Sequence, residues 1–379
     1  MANVFEKTDL VVRDAAIELK NTMKVAGMLS DSVEEAFAQK VGSTVNVVKR
    51  PIATATRHTT GAFPVDDVNE VKVPIVLRFR AIVKKVLTAE QMTLSVDDFF
   101  IQVTRPSMVA IAEMIDTFFV QDVFLRGFAR NIVGVAGTDP TLFTHLTDAW
   151  KVLFQNKCPD MGKQGVLTPD AAANMLDLNQ FQSRDFGEDR VQALRNALIS
   201  PVLNSEFFPA QSAGTQALGD TAGTVLVAGA AQTGTSINVD DFTAGSGTVN
   251  EGVRLTFAGD SQVYTLTADA TISGNAATFV ITPAKSGAAA DNALVTFETA
   301  LKENIVFHPD AVARALITPE PQKTNPSSVA TIDNVPMRVT FESSINDAAN
   351  GGDSESVLYD VFVGGHVIHP ECGVIVQGV

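Results

Sequence analysis

Cysteine, charge and stacking aromatics are all scarce in this chain. Its two cysteines, Cys158 and Cys372, provide no disulfide framework and agree with a reducing compartment. Charged residues make up 19% of the chain against 45% hydrophobic, below the quarter or so usual in soluble proteins. So little charge leaves much surface to be hidden, either against other chains or in one large core, and composition does not choose between them. One Trp and two Tyr leave little for stacking on bases. The 28 Lys and Arg face 43 Asp and Glu, a formal net charge of −15. Because affinity for nucleic acid comes mainly from cations that neutralise phosphates, this balance argues against a DNA-binding role, though not against a wall that encloses DNA. The opening MANVFEKTDL lacks a charged-then-apolar leader, and no apolar run approaches the roughly 18 residues of a membrane span. A cytoplasmic protein without membrane contact is expected.

Catalytic signatures are missing as well. There is no GxxxxGK[ST], GxGxxG or GxSxG pattern. His366, His369 and Cys372 are spaced as ligands would be on a helix, but the surrounding valines and glycines favour a strand, where alternate side chains diverge. Asp66-Asp67, Asp97-Asp98 and Asp240-Asp241 are adjacent pairs that point apart on any regular element, and read as turn residues, a helix cap and a hairpin end. Gly245-Ser246-Gly247 reads as a turn, and His58, His145 and His308 are widely separated, with His308 a pre-proline helix cap. Asp116 is either a buried partner for a basic residue or an exposed position. No residue is nominated as catalytic, cofactor-binding or metal-binding, and no enzyme activity is expected.

The pattern that is present begins after Pro106. Apolar residues recur at Met108, Ile111, Ala112, Ile115, Phe118, Phe119 and Val123, one face of a long amphipathic helix. Pro106 fits the first turn of that helix with Arg105 outside it, and Ser95 with Asp98 marks the entry of a short preceding helix over 96–103. Thr8 to Gly27 predicts another amphipathic helix with Leu10, Ile17, Met23 and Ala26 near one face, flanked by Val12, Ala16 and Leu19, and Ser32 to Glu35 a short second one. From Ser43 to Val86 the period becomes two, with Val71, Val73, Ile75, Leu77, Phe79, Ala81 and Val83 on one side of a long strand that the run 45–56 pairs with. A ribbon of two strands is marginal alone in water and needs something to lie on. The first 85 residues hold 13 basic and 10 acidic residues, leaving 15 and 33 for the remainder, so a mildly basic arm joins an acidic body.

Downstream, helices and strands mix. Asp139-Pro140 opens a helix bearing Leu142, Phe143, Leu146 and Trp150; VLTPDAAANML gives a strand and a helix capped by Thr168; a further helix falls over 189–199 before the strand PVLNSEFF. From Ala217 to Ala300 only Arg254 and Lys285 are basic, against eight acidic residues, and six short alternating strands separated by glycine turns predict a small closed or sandwich-like β-domain. NIVFHPDAVARAL predicts a strand and then a helix begun by Pro309. VPMRVTFESSIN and VLYDVFVGGHVIHPECGVIV predict closing strands around an acidic glycine loop at 350–355.

LTAEQMTLSVDDF, the later Pro106 and Met108, the alanine- and isoleucine-rich helix with Asp116, and NIVFHPDAVARAL together resemble the coat proteins of short-tailed double-stranded DNA phages. That family belongs to the Hong Kong 97 type capsid class. The resemblance implies a mixed α+β fold with an N-terminal arm (1–42), an extended β-hairpin loop (43–86), a peripheral domain with the spine helix (87–138 and 331–379), an axial domain (139–216 and 301–330) and an inserted β-barrel (217–300). It implies a major capsid protein assembling with itself as pentamers and hexamers into an icosahedral shell around phage DNA, with scaffolding protein, portal and in some cases a decoration protein as partners. A shell of the same fold that carries enzyme cargo, as in encapsulins, is the alternative within structural proteins. A surface adhesin or carbohydrate-binding module is the alternative outside them, suggested by the Thr/Gly-rich segment alone. Some relatives of the fold crosslink a loop lysine to a neighbour's asparagine. Residues 57–70 contain no lysine, so the assembled protein is expected to run on a denaturing gel as a single 40.2 kDa band, and a ladder of covalent multimers would contradict this.

Overall fold

The computed structural model describes residues 3–30, 44–49, 71–88, 99–178, 203–321, 325–347 and 352–378. The helices expected at 32–35 and 189–199, the entry signal at Ser95 and Asp98, and the ribbon tip at 57–70 lie outside these residues. The chain forms two compact units, 1–116 with 312–369, and 117–311 with 370–379.

The first unit is built on a sheet whose central strand is Gly352–Val367. On one side it pairs antiparallel with Val71–Thr88, which in turn carries Thr44–Lys49 at the edge. On the other it pairs with Val335–Asp347, followed by Ser327–Ile332, and with Val312–Ile317 further along. The long alternating strand is therefore an interior strand as well as half of a ribbon. The strand resumes at Gly352, so the acidic loop expected over 350–355 is shorter than its composition suggests. Along Val71–Thr88 the predicted alternation holds, with Ile75 and Ala81 buried and the even-numbered positions outward. Val45, Val47, Ile75 and Leu77 pack with Ala313, Ala315 and Ile368. The ladder with the central strand shifts register between Val363 and Gly364, and a Cβ on Gly364 would meet the Val76 carbonyl oxygen at 2.6 Å. Only glycine lets the strands approach there while the ribbon bends out of step.

At mid-sheet sits a charge cluster. Asp360, fully buried, accepts from Arg338 on one neighbouring strand, Nε to Oδ1 at 2.9 Å and Nη2 to Oδ2 at 2.6 Å. From the other neighbour Arg80 Nε donates to Oδ2 at 2.5 Å. Arg338 Nη1 also donates to the Glu320 carbonyl at 2.5 Å.

The helix Asn3–Thr22 packs on Ser327–Ile332 and Val335–Asp347. It buries Val11, Val12, Ala15, Ala16, Leu19 and Met23, while Leu10 and Ile17 are exposed. The buried stripe on the helix is thus the flanking one of Val12, Ala16 and Leu19; of the expected face Met23 and Ala26 are buried and Leu10 and Ile17 are not. The spine is helical from Phe99, with π-helical turns at Phe100–Thr104 and Phe118–Phe124 around the α-helix Arg105–Thr117 and a last turn Leu125–Phe128. Arg105 is helical (φ −57, ψ −50), so Pro106 lies inside the helix and not in its first turn. A proline there lacks one N–H and crowds the preceding turn, and the wider π turn immediately before it accommodates both. Every predicted apolar position from Met108 to Val123 is buried.

In the second unit a five-stranded sheet runs Ile132–Val133, Gly373–Val376, Ile305–Phe307, Lys163–Leu167, Ser205–Pro209. The helices Phe143–Gln155 and Pro169–Leu176 share a core with it through Leu146, Leu153, Leu167, Met175, Phe207 and Val374. Thr168 caps the second helix, its Oγ1 accepting from the Ala171 N–H at 3.2 Å. After Phe307 the expected helix is absent: Pro309–Ala311 is one 3-10 turn and Val312–Ile317 a strand. Alanine-rich text favours helix locally, but six paired residues and a buried face outweigh that preference.

Between Gly223 and Phe297 the unit contains eight strands where six were expected. Six form one sheet and Ser246–Val249 pairs with Ala270–Ser273 in another, so Ser246 and Gly247 belong to a strand and not a turn. The two edges of the larger sheet meet, the Val227 N–H donating to the Ala293 carbonyl and the Asn292 N–H to the Val227 carbonyl, both at 3.0 Å. Ile237, Val239, Phe242, Leu255, Phe257, Phe279 and Ile281 fill the interior. Removing a buried carboxylate strands the guanidiniums that it held. Asp360→Ala is therefore expected to lower unfolding free energy by about 3–5 kcal/mol in urea titration, and a loss under 1 kcal/mol would show the cluster to be inessential.

Candidate functional site

The residues that sequence reasoning raised as chemistry do not form a site. His366 lies in the strand Gly352–Val367, His369 beyond it, and Cys372 in the 3-10 turn Pro370–Cys372. Among the described residues no group of three or more His, Cys, Asp or Glu could hold a metal ion. Asp66-Asp67, Asp97-Asp98 and His58 lie outside the described residues. Asp240 and Asp241 close the strand Gln232–Phe242, Asp241 at φ +62. His145 is buried and its Nδ1 accepts from the Leu142 N–H at 3.3 Å; burial lowers its pKa, which keeps the ring neutral. His308 Nδ1 accepts from the Asp310 N–H at 3.2 Å, as a capping residue does. Sequence reasoning missed that Cys158 and Cys372, 214 positions apart, come into hydrogen-bonding contact as free thiols. That bond, ahead of burial, pushes the Cys158 pKa up, so it is a poor nucleophile.

Asp116 is the residue that the pattern left undecided, and its partner is backbone. Its carboxylate accepts from the Lys24 N–H and the Ala26 N–H, each at 2.9 Å, with Val25 between them contributing a third bond. These amides lie just past the C-terminal end of the helix Asn3–Thr22, outside its ladder, so each N–H needs an acceptor from elsewhere. Arg314 Nη1 meanwhile donates to the Ala26 carbonyl at 2.8 Å, and Ser30 bridges to Ala313. The stretch 24–30 is thereby tied from both sides, which holds the first helix on its sheet. Burial raises the Asp116 pKa, outweighing the amides that lower it.

The surface best suited to a function is the outward face of the ribbon. Val48, Val76, Ile82 and Val86 stand on it, each 39–49% exposed. Lys72, Arg78 and Lys84 are exposed beside them, and Lys85 is exposed on the opposite face. The ribbon segments 44–49 and 71–88 contain six basic residues and no acidic one. Within the unit Arg80 is taken up by Asp360 and Lys84 by Glu342 at 2.6 Å. Leu10 and Ile17 of the first helix, which packs on the strands at the other end of the sheet, are also exposed. A row of β-branched side chains among cations, on strands whose other face is already packed, suits contact with an acidic protein surface more than chemistry on a small molecule.

A folded-state carboxyl pKa above its unfolded value means that the native state holds its proton to higher pH, so stability falls as pH rises from the unfolded value through the raised one. The difference in unfolding free energy between wild type and Asp116→Asn is expected to change across that window and to be flat above it. Asp116→Ala, which leaves three amides without an acceptor, is expected to cost about 2–4 kcal/mol. A pH-independent difference between wild type and Asp116→Asn in urea titrations would refute the assignment.

No family model matches the sequence and no curated protein matches it. Solved structures similar to this chain include one from Mycobacterium phage Che8, at 13% identity over 93% of this chain and 90% of that one, with a TM-score of 0.48. The capsid structure of the cyanophage P-SCSP1u is similar at 11% identity over 89% and 84%, with a TM-score of 0.47. A virus-like particle from Pyrococcus furiosus is similar at 8% identity over 99% of both chains, with a TM-score of 0.44. Each likeness is weak in sequence and partial in geometry.

Proposed function

We propose that this chain is a structural subunit that assembles in many copies into a closed shell, the major capsid protein of a tailed phage with a Hong Kong 97 type fold. The observation that carries this is the ribbon's outward face, where Val48, Val76, Ile82 and Val86 stay exposed on strands that are otherwise integrated into a sheet. Covering a half-exposed aliphatic side chain contributes about 1 kcal/mol, small for one contact and large when repeated around a shell. The low charge content and the acidic remainder of the chain supply a surface that such a ribbon fits.

In this reading the segment 217–300 is an inserted β-barrel, supported by the meeting of its sheet edges and by its own core. The first 42 residues are an arm, and 43–86 the extended loop that lies across a neighbour. Pentamers and hexamers, scaffolding protein, portal and decoration protein follow from the resemblance of the sequence motifs. The shell encloses double-stranded DNA without reading its sequence, in keeping with the net charge of −15. Nucleic acid inside purified particles would separate it from a compartment packed with enzyme.

Negative-stain imaging of the purified full-length protein is expected to show closed particles of uniform diameter. Ile82→Asp with Val86→Asp is expected to leave the circular dichroism spectrum unchanged and to abolish the particles. A compact 40.2 kDa monomer across micromolar concentrations, or particles indifferent to the double substitution, would overturn the proposal.

A further inference from the structure

Within the second unit lies a cavity of about 330 Å³, lined by Ala129, Arg130, Arg254, Gln262, Val263, Thr265, Thr282 and Pro283. Its wall carries two guanidiniums, Arg254 from the cation-poor segment 217–300 and Arg130 from the chain before it. Lys285, the other basic residue of 217–300, is held by Asp260 at 2.5 Å and lies over the rings of Phe257 and Tyr264, so it is spent internally. Arg254 is different. Its side chain is 18% exposed, it lines the cavity, and one nitrogen, Nη1, meets Glu298 at 3.1 Å, which leaves its other donors without a side-chain partner among the described residues. Arg130 donates from Nη2 to the Thr282 hydroxyl. Thr265 is nine-tenths buried, and its hydroxyl has no hydrogen-bond partner among the described residues.

The ionic account is unbalanced in one direction. Arg130 and Arg254 bring two positive charges, Glu298 removes one, and Asp260 beside Gln262 is neutralised by Lys285, which holds its carboxyl down at about 2. Burial lowers the Arg254 pKa, the cost of a cation short of anionic partners, which a second anion would relieve. Two planar forks and a free hydroxyl donor in a partly enclosed site are the complement of a tetrahedral or planar oxyanion.

We propose that this cavity is an oxyanion-binding site, taking phosphate-like or carboxylate groups between Arg130 and Arg254 with Thr265 as a further donor. The occupant is either a dissolved oxyanion or an Asp or Glu carboxylate of a second copy of this chain, and both present the same chemistry. The site does not depend on the shell reading.

Calorimetric titration of inorganic phosphate into the full-length protein at fixed ionic strength tests it. Saturable binding at one site per chain is expected, weakened tenfold or more in Arg130→Gln, less in Arg130→Lys, and unchanged in Arg105→Gln, a distant arginine paired with Glu18. Acetate is expected to compete. If a neighbour's carboxylate is the natural occupant, Arg130→Gln also weakens self-association in phosphate-free buffer and phosphate mimics that loss in wild type; if a dissolved oxyanion is, self-association is unchanged. Unsaturable binding, or equal binding by wild type and Arg130→Gln, overturns the proposal. Should Arg130→Gln fail to fold, Thr265→Val, which removes a donor without charge, is expected to weaken phosphate severalfold, and an unaltered affinity would overturn it equally.

Discussion

A single carboxylate in the middle of a sheet sets the geometry of the first unit. Asp360 has no access to water and is held by arginines on both neighbouring strands, so three strands share one charge cluster. A slip of either ladder by one residue would turn the arginine to the opposite face and leave the carboxylate buried without it. Such a cluster adds little net stability over a well-packed apolar core. Its use is to penalise every other register. Because the ribbon continues the strand that carries Arg80, fixing Arg80 fixes which of its side chains face out. The exposed aliphatic row is therefore a consequence of a contact that it does not itself make.

The second unit follows a different logic. Its β-rich segment hides both of its cations, Lys285 beneath two aromatic rings and Arg254 beside Glu298. What remains outward from it is acidic, since it carries eight carboxylates against those two cations. Charge is thus segregated along the chain, with a ribbon that holds only basic residues and a β-rich segment whose surface holds nearly none. That segregation holds for the described ribbon strands 44–49 and 71–88, since the ribbon tip also carries Asp66, Asp67 and Glu70, and it favours association in a particular orientation more than it raises affinity.

Much of this was legible before any coordinates. The apolar spacing from Met108 to Val123, the alternation along Val71–Val83 and the Thr168 cap are all local signals, and local signals survive folding. The errors came where long-range pairing or crowding decided the outcome. Pro106 reads as a helix start until a π turn makes room for it, and Ala313 to Leu316 reads as helix until its partner strand is known. The first helix could turn either of two stripes inward, and only the strands beneath it select Val12, Ala16 and Leu19. The Asp360 cluster left a faint trace, an Asp and two Arg inside otherwise apolar alternating runs. Nothing local links Arg80 to residues about 260 and 280 positions away. The Asp116 anchor and the contact of Cys158 with Cys372 were hidden for the same reason, separation in sequence.

The ribbon's direction hangs on an absent atom. At Gly364 the register shifts, and the carbonyl of Val76 occupies space that any side chain would need. The bend is therefore a steric permission granted at one position, with a rigid ladder before it and another after it. The described strands thus leave the body of the sheet from a register set at that one position. It also means that the reach of the ribbon could be re-aimed over evolutionary time by changing a residue that never touches whatever the ribbon meets.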